Sequence, residues 1–381
     1  MTQLVAAVVG TGFIGPVHVE GLLRAGVQVA GIMGSTVEKA VAAAKRLNLP
    51  RAYASLDEIL ADESVDVVHI TSPNRHHFEQ AASVIRAGKH VLCEKPLAMN
   101  STESAELVSL ARTAGVAAGV NYNIRYYPLC IEAASRVASG SLGRLFHVTG
   151  SYSQDWLFHP TDFNWRVLSK EGGELRAVAD IGTHLLDLIG FVTGQKVVAV
   201  CADLQTLYSH RDCPVGGAET FTAKQTPNQS VEKIAIDTED HGSILLRFAN
   251  GAKGSIWVSQ VYAGRKNCLR LELAGSKGSF AWDSEAPNAM WLGHRDQANE
   301  VLTRDPSLMS ERARNASTYP GGHNEGFPDT FKQLFRDFYR YIDEGNFQAP
   351  PSFPTFDDGH QEILLCEAIL KSHRQQSWIN V

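Results

Sequence analysis

VVGTGFIGPVH, residues 8–18, sets Gly10, Gly12 and Gly15 directly behind an apolar run, and its reading decides the fold. Leu4–Val9 reads as a buried parallel strand, Val17–Leu23 as a helix ending near Gly26, and Val27–Met33 as the next strand, so the glycines occupy the turn of a βαβ unit. In such a unit Gly10 permits the tight turn, Gly12 lets a pyrophosphate approach the backbone, and Gly15 lets helix pack closely on strand. The phosphates then rest at the helix N-terminus, beside Phe13 and Ile14. The spacing predicts a bound dinucleotide.

The same alternation runs on to residue 120. Helices are expected near Val37–Leu47, Leu56–Leu60, His77–Ala87 and Ser101–Ala114, with strands at Val65–Thr71, His90–Cys93 and Val116–Val120. This is the pattern of an α/β, doubly wound parallel sheet. The second strand ends in GIMGST, Gly31–Thr36, with neither the acid that meets a ribose 2′-hydroxyl nor an Arg. Ser35, Thr36 and Lys39 suit a 2′-phosphate; Ser35 or Thr36 equally suits the N-cap of the helix starting at Val37. The choice between NAD and NADP stays open. From Arg144 the chain becomes strand-rich, and Asn250-Gly251 between two alternating runs predicts a hairpin. Two domains are expected, residues 1–121 and 122–381. The polar stretch Ser209–Glu232 reads as a long inserted loop.

Composition narrows the function classes. The 381 residues are 44% hydrophobic and 20% charged, with a net charge of -6 and scattered Lys and Arg, which argues against a nucleic-acid partner. No stretch has the length of a membrane span, and the first residues lack a leader pattern, so a cytoplasmic protein is expected. Six cysteines without a CxxC pair read as reduced structural thiols.

Four segments, GTGFIGPVH, TSPNRHH, CEKP and DIGTH, together resemble the Gfo/Idh/MocA family of glucose-fructose oxidoreductase and inositol dehydrogenase relatives. The resemblance implies an α+β second domain with a large, open, mostly antiparallel sheet, and a homodimer or homotetramer formed through such a face. It implies NAD or NADP as cofactor, held by the glycine turn with Thr71, Ser72, Pro73, Asn74, His77, Glu94, Lys95 and Asn121. It also implies a cis Lys95-Pro96 bond. QDW (154–156) and NWR (164–166) look most like the sugar and cyclic-polyol dehydrogenases.

Oxidising a secondary alcohol needs a base for the hydroxyl proton and a donor for the oxygen. Lys95 ends a parallel strand, where doubly wound folds place ligands; the alternative is a surface lysine paired with Glu94. His184 is the candidate base, since an imidazole can change charge near neutral pH, and Asp180 four residues earlier shares its helix face; the alternative is a structural histidine bonded to Asp187 or Asp180. Trp156, Trp165 and Arg166 suit a polyhydroxylated ring, or simple packing. Tyr122 and Arg125 follow the last parallel strand, and His323 with Glu325 lies on a glycine-flanked loop; these complete the expected substrate set. His18 and His76, with His77, match family positions on the cofactor side, and no metal site is expected because acidic and Cys partners at ligand spacing are missing. The expected function is NAD(P)-dependent oxidation of a sugar or polyol. Its rivals are a glycosidase-like enzyme of the same fold that returns the hydride, and a cofactor-sensing protein without catalysis.

Overall fold

The structure is a computed structural model that describes residues 4–214 and 230–381. It forms two compact units. The first takes the chain up to Asn123 together with Pro328–Ile363, and the second takes the remaining described residues.

In the first unit the chain runs β1 (Val5–Val9), α1 (Ile14–Ala25), β2 (Gln28–Met33), α2 (Val37–Arg46), β3 (Arg51–Tyr53), α3 (Leu56–Ala61), β4 (Val67–Ile70), α4 (His77–Arg86), β5 (His90–Cys93), α5 (Ser101–Ala114) and β6 (Ala118–Val120). All six strands pair in parallel in the order β3-β2-β1-β4-β5-β6, the doubly wound order of a Rossmann sheet. β4 is fully buried and β1 nearly so, which is why both read as unbroken apolar runs. Two local differences from the sequence pattern have simple causes. Helix α1 starts at Ile14 rather than Val17, because Phe13 is already helical and Pro16 is tolerated in a first turn. The edge strand β3 has three residues, too few to show a period.

The second unit continues with α6 (Pro128–Ala138), β7 (Leu145–Ser153), α7 (Ser169–Gly172), a π-helical turn (Val178–Gly182) leading into α8 (Thr183–Thr193), β8 (Val197–Gln205), β9 (His210–Pro214), β10 (Val231–Ala235), β11 (His241–Phe248), β12 (Lys253–Ser259), β13 (Cys268–Gly275), β14 (Ser279–Asp283), β15 (Ala289–Gly293), β16 (Glu300–Thr303) and α9 (Glu311–Asn315). With β17 (Ile379–Asn380), all of these strands except β9 and β10 build a nine-stranded sheet, β16-β15-β14-β13-β7-β12-β11-β8-β17, antiparallel except for β7 against β12. β11 alternates buried and exposed residues, as one solvated face requires, and Gly251 turns the expected hairpin at φ +87°. At Ser209–Glu232 the ends are strands rather than loop: β9 and β10 pair with each other, and residues 215–229 lie outside the described ones.

Two long helices follow, α10 (Phe327–Glu344) and α11 (Phe356–Gln375). From Pro328 onward α10 belongs to the first unit, where Phe331, Leu334, Phe335, Phe338 and Tyr339 recur at helical spacing and are buried. Phe331 and Phe335 pack against the His18 ring of α1 at 5.7 and 5.0 Å between centroids. Among the described residues no helix is long and apolar enough to cross a membrane.

Burial lowers the pKa of three histidines in this unit: His69, pushed well below the ordinary value, and His77 and His90. Their neutral forms are favoured by folding, so the unfolded chain takes up protons first as pH falls through the ordinary histidine range. Stability gained from them is complete above that range and lost below it. The unfolding free energy of the cofactor-free protein, read from urea titrations, is therefore expected to fall between about pH 7.5 and about pH 5.5, by up to about 1.4 kcal/mol per pH unit for each net proton taken up on unfolding, with buried Glu239, whose pKa is raised to about 7, offsetting one of the three histidines. A flat profile would contradict this assignment.

Candidate active site

The glycine turn closes on the start of the loop after β4. Gly10 has φ +118° and donates its N–H to the Met33 carbonyl at 2.8 Å, while Thr71 donates N–H and Oγ1–H to the Val9 carbonyl at 2.7 and 2.8 Å. A Cβ on Gly10 would collide with Thr71, and one on Gly15 with the Gly10 carbonyl; one on Gly12 would meet nothing within 4 Å. Gly10 and Gly15 are thus required by the turn itself, whereas Gly12 borders open space that a side chain would fill. That cradle fits a pyrophosphate. No side chain caps α1, in contrast to α2, α3 and α5, capped by Thr36, Ser55 and Asn100. At the tip of β2, Thr36 Oγ1 accepts the Lys39 N–H at 3.3 Å and Lys39 Nζ donates to Ser35 Oγ at 3.2 Å, all three exposed.

Behind β5, Glu94 is buried and the Lys95-Pro96 bond is cis. Glu94 Oε1 accepts from His18 Nε2 at 3.1 Å and from Asn121 Nδ2, and its Oε2 accepts the Lys95 N–H at 3.2 Å. Burial alone would raise this carboxyl's pKa; the His18 ring, the Lys95 charge and the Asn121 amide outweigh it and hold the value at about 2. Because Glu94 accepts, Asn121 has to present its Nδ2, and its buried Oδ1 has no hydrogen-bond partner among the described residues. An orphaned acceptor beside the strand ends fits the amide donor of a nicotinamide. Ser72 Oγ donates to Gln80 at 2.6 Å, Pro73 is extended, and Asn74 opens a short 3-10 turn. His77 is buried with Nδ1 facing the Pro96 carbonyl at 2.7 Å and Nε2 the Ser72 carbonyl at 2.9 Å, tying both loops together. Of the expected cofactor residues, the first unit therefore brings Glu94, Lys95, Asn121, His77 and Ser72 into one bonded cluster. His76 stands apart on the surface side, accepting from Arg75.

In the second unit Asp180 sits in the π-helical turn and His184 in the first turn of α8. Insertions of this type recur at functional sites. Asp180 Oδ2 accepts from Gln260 Nε2 at 2.7 Å, and Oδ1 lies 3.4 Å from Arg166 Nε. The Arg166 guanidinium also lies over the Trp165 ring, 4.4 Å from its centroid. His184 is 8% exposed, with Tyr152 beside its ring at 6.5 Å between centroids. Tyr152 Oη and Gln154 Nε2 both donate to Asn267 Oδ1 at 2.8 Å, and Trp156 Nε1 donates to Gln154 Oε1 at 2.7 Å. Asp180, Arg166, Trp165 and His184 therefore share one neighbourhood, and Trp156 joins the polar seam next to it. Arg125 is bound to buried Asp187 through two hydrogen bonds of 2.8 and 2.5 Å, and Tyr122, in the first unit, is fully buried. His323 is exposed, whereas Glu325 is buried against Arg304 at 2.8 Å.

Sequence reasoning missed Gln260, Asn267 and the buried group Arg176, Arg211, Glu239 and Asp240. Glu239 accepts the N–H groups of Arg176 and Val178 at the mouth of the π turn, and Asp240 receives both arginines. Burial raises the Glu239 pKa to about 7 in spite of these bonds. The one signal was the density of polar residues in TEDH, 238–241, at the start of a strand. Cys268, Asp283 and Glu285 have metal-ligand spacing, but Arg270 and Arg265 already neutralise the two carboxylates.

Comparison with known proteins adds to this geometry. The chain is 29% identical to levoglucosan dehydrogenase of Pseudarthrobacter phenanthrenivorans, across 100% of this chain and 99% of that one. It is 30% identical to the uncharacterized oxidoreductase sll0816 of Synechocystis, across 100% and 96%. A solved levoglucosan dehydrogenase in complex with NADH and L-sorbose matches with a TM-score of 0.89 at 28% identity, covering 100% of this chain and 99% of that one. Residues 4–122 match the oxidoreductase family with an NAD-binding Rossmann fold and residues 131–281 the matching C-terminal domain, so the chain belongs to the GFO/IDH/MocA oxidoreductases.

Proposed function

We propose that the chain is an NAD(P)-dependent dehydrogenase that oxidises one secondary hydroxyl of a sugar or cyclic polyol, with an anhydrosugar such as levoglucosan as the first candidate. The observation that carries the chemistry is the pair of donors on Asp180. With Gln260 on one oxygen and Arg166 beside the other, Asp180 is oriented by donors on both oxygens, which suits a group that accepts a hydrogen bond from a substrate hydroxyl. His184, one helical turn away, is left as the base that takes the hydroxyl proton. Lys95 supplies a positive charge to the substrate oxygen as that proton leaves. Trp165 and Arg166 offer a ring face and a planar donor, which suit the C–H face and the hydroxyls of a saccharide.

A nicotinamide, when bound, supplies the hydride acceptor. Gly10, Gly12, Phe13, Ile14 and Gly15 would hold its pyrophosphate, and Thr71, Ser72, Pro73, Asn74 and His77 would line it. Glu94 and Asn121 would face the nicotinamide end. Ser35, Thr36 and Lys39 would meet the adenosine ribose, and in the absence of an acid there both NAD and NADP are accepted. The exposed face of the nine-stranded sheet, carrying Leu245, Trp291 and Val301, supports a homodimer or homotetramer. Six free thiols suit the cytoplasm.

Two experiments test this reading. Gly12→Val is expected to fold normally and lose NAD and NADP binding by calorimetry, while the parent discriminates between them by less than about a thousandfold, about 4 kcal/mol. Unchanged affinity in folded Gly12→Val would remove the cradle assignment.

His184→Ala is expected to lower kcat by on the order of a hundredfold with little change in cofactor affinity, and to abolish the ionisation through which the parent's oxidation rate rises with pH. Lys95→Ala is expected to impair both kcat and substrate binding. A near-normal rate and profile in His184→Ala would make it a structural histidine.

A further inference from the structure

Four buried side chains of the first unit form an unbroken line from α10 to the loop behind β5. Tyr339 Oη lies 3.0 Å from His69 Nε2, His69 Nδ1 lies 2.9 Å from His18 Nδ1, and His18 Nε2 lies 3.1 Å from Glu94 Oε1. Counting hydrogens fixes the direction of every bond. The Tyr339 hydroxyl has one hydrogen, and among the described residues His69 Nε2 is its only hydrogen-bond partner, so Nε2 accepts. Neutral His69 then carries its proton on Nδ1 and donates it to His18 Nδ1. His18, accepting there, carries its own proton on Nε2 and donates it to Glu94. The Asn121 amide nitrogen lies 3.2 Å from His18 Nε2 because two donors share one carboxylate oxygen.

The opposite polarity would leave the Tyr339 hydrogen buried without an acceptor and strip a donor from a buried carboxylate, and both are costly. An imidazolium at His18 would turn His69 round and leave Tyr339 in the same position.

We propose that Tyr339, His69 and His18 are positioning residues, a one-way hydrogen-bond relay ending on Glu94, whose fixed carboxylate holds the Lys95 backbone on one oxygen and the Asn121 amide on the other. The consequence for turnover rests on the role of Lys95 proposed above; the proton positions do not.

Selective 15N-histidine labelling of the full chain, with resonances assigned through His18→Phe and His69→Phe, reads the tautomers directly. The expected result is His69 with its proton on Nδ1, the minor form of a free imidazole, and His18 with its proton on Nε2 and an unprotonated Nδ1. Either ring in the other tautomer, or a charged His18, overturns the relay.

Turnover then tests positioning. His18→Phe keeps the ring packing against Phe331 and Phe335 but removes the donor to Glu94, and is expected to lower kcat by roughly tenfold to a hundredfold with KM within about threefold. His18→Gln restores an N–H donor at the same reach and recovers most of that loss. If His18→Phe does not fold, Tyr339→Phe unpins the far end and is expected to lower kcat by about threefold. Unchanged kcat in whichever variant folds overturns the positioning role. Normal turnover in Lys95→Ala would instead remove the Lys95 role while leaving the tautomers as stated.

Discussion

A carboxylate buried where β-strands end has to be surrounded by donors, and Glu94 is the group around which the first unit is arranged. His18 reaches it from α1, Asn121 from beyond β6, and the Lys95 N–H from the next residue. Each donor comes from a different element, so the carboxylate ties α1, β5 and the end of β6 at the crevice where doubly wound sheets bind ligands. Removing a donor would expose a buried charge, a much larger loss than one hydrogen bond. The same requirement explains two buried histidines that carry no surface role, since the Tyr339 end of their chain supplies hydrogens to the Glu94 end.

The second unit meets the same requirement, donors around carboxylates, with its own residues. Asp180 is fixed by donors from Gln260 and Arg166, and the turn that carries it is fixed by Glu239, which accepts the two N–H groups at its entrance. Asp240 in turn pairs with Arg176 and Arg211, so the acid that caps the turn lies within a neutralised cluster. The result is a carboxylate and an imidazole on one helix start, both backed by residues from other elements.

How much of this was legible in the sequence depended on range. The βαβ turn was legible because three glycines, an apolar run and a helix lie within 20 residues, each in its required order. The hairpin at Asn250-Gly251 was legible for the same reason. Strand β3 was not, being too short to show a period, and the π turn at Val178–Gly182 was not, because one extra residue in a helix leaves no mark in composition. Gln260 and Asp240 lie 80 and 60 residues beyond Asp180, and no local pattern links them. His69 did leave a trace, a lone polar residue in the buried strand VVHI, but what it meets could be learned only from the packing of α1 and α10. At the glycine turn the three positions differ as their spacing implies: a Cβ would collide with neighbours at Gly10 and Gly15, whereas Gly12 borders open space.

The central claim is that the chain moves a hydride from a secondary carbon of a saccharide to nicotinamide and leaves it there. Mass spectrometry of the cofactor, after turnover of levoglucosan or another anhydrosugar deuterated at its secondary carbons, measures this directly. The predicted result is one deuterium in each reduced cofactor, formed in equal amount to the ketone product. Deuterium retained in the sugar product, with no reduced cofactor accumulating, would contradict it and favour an enzyme that returns the hydride.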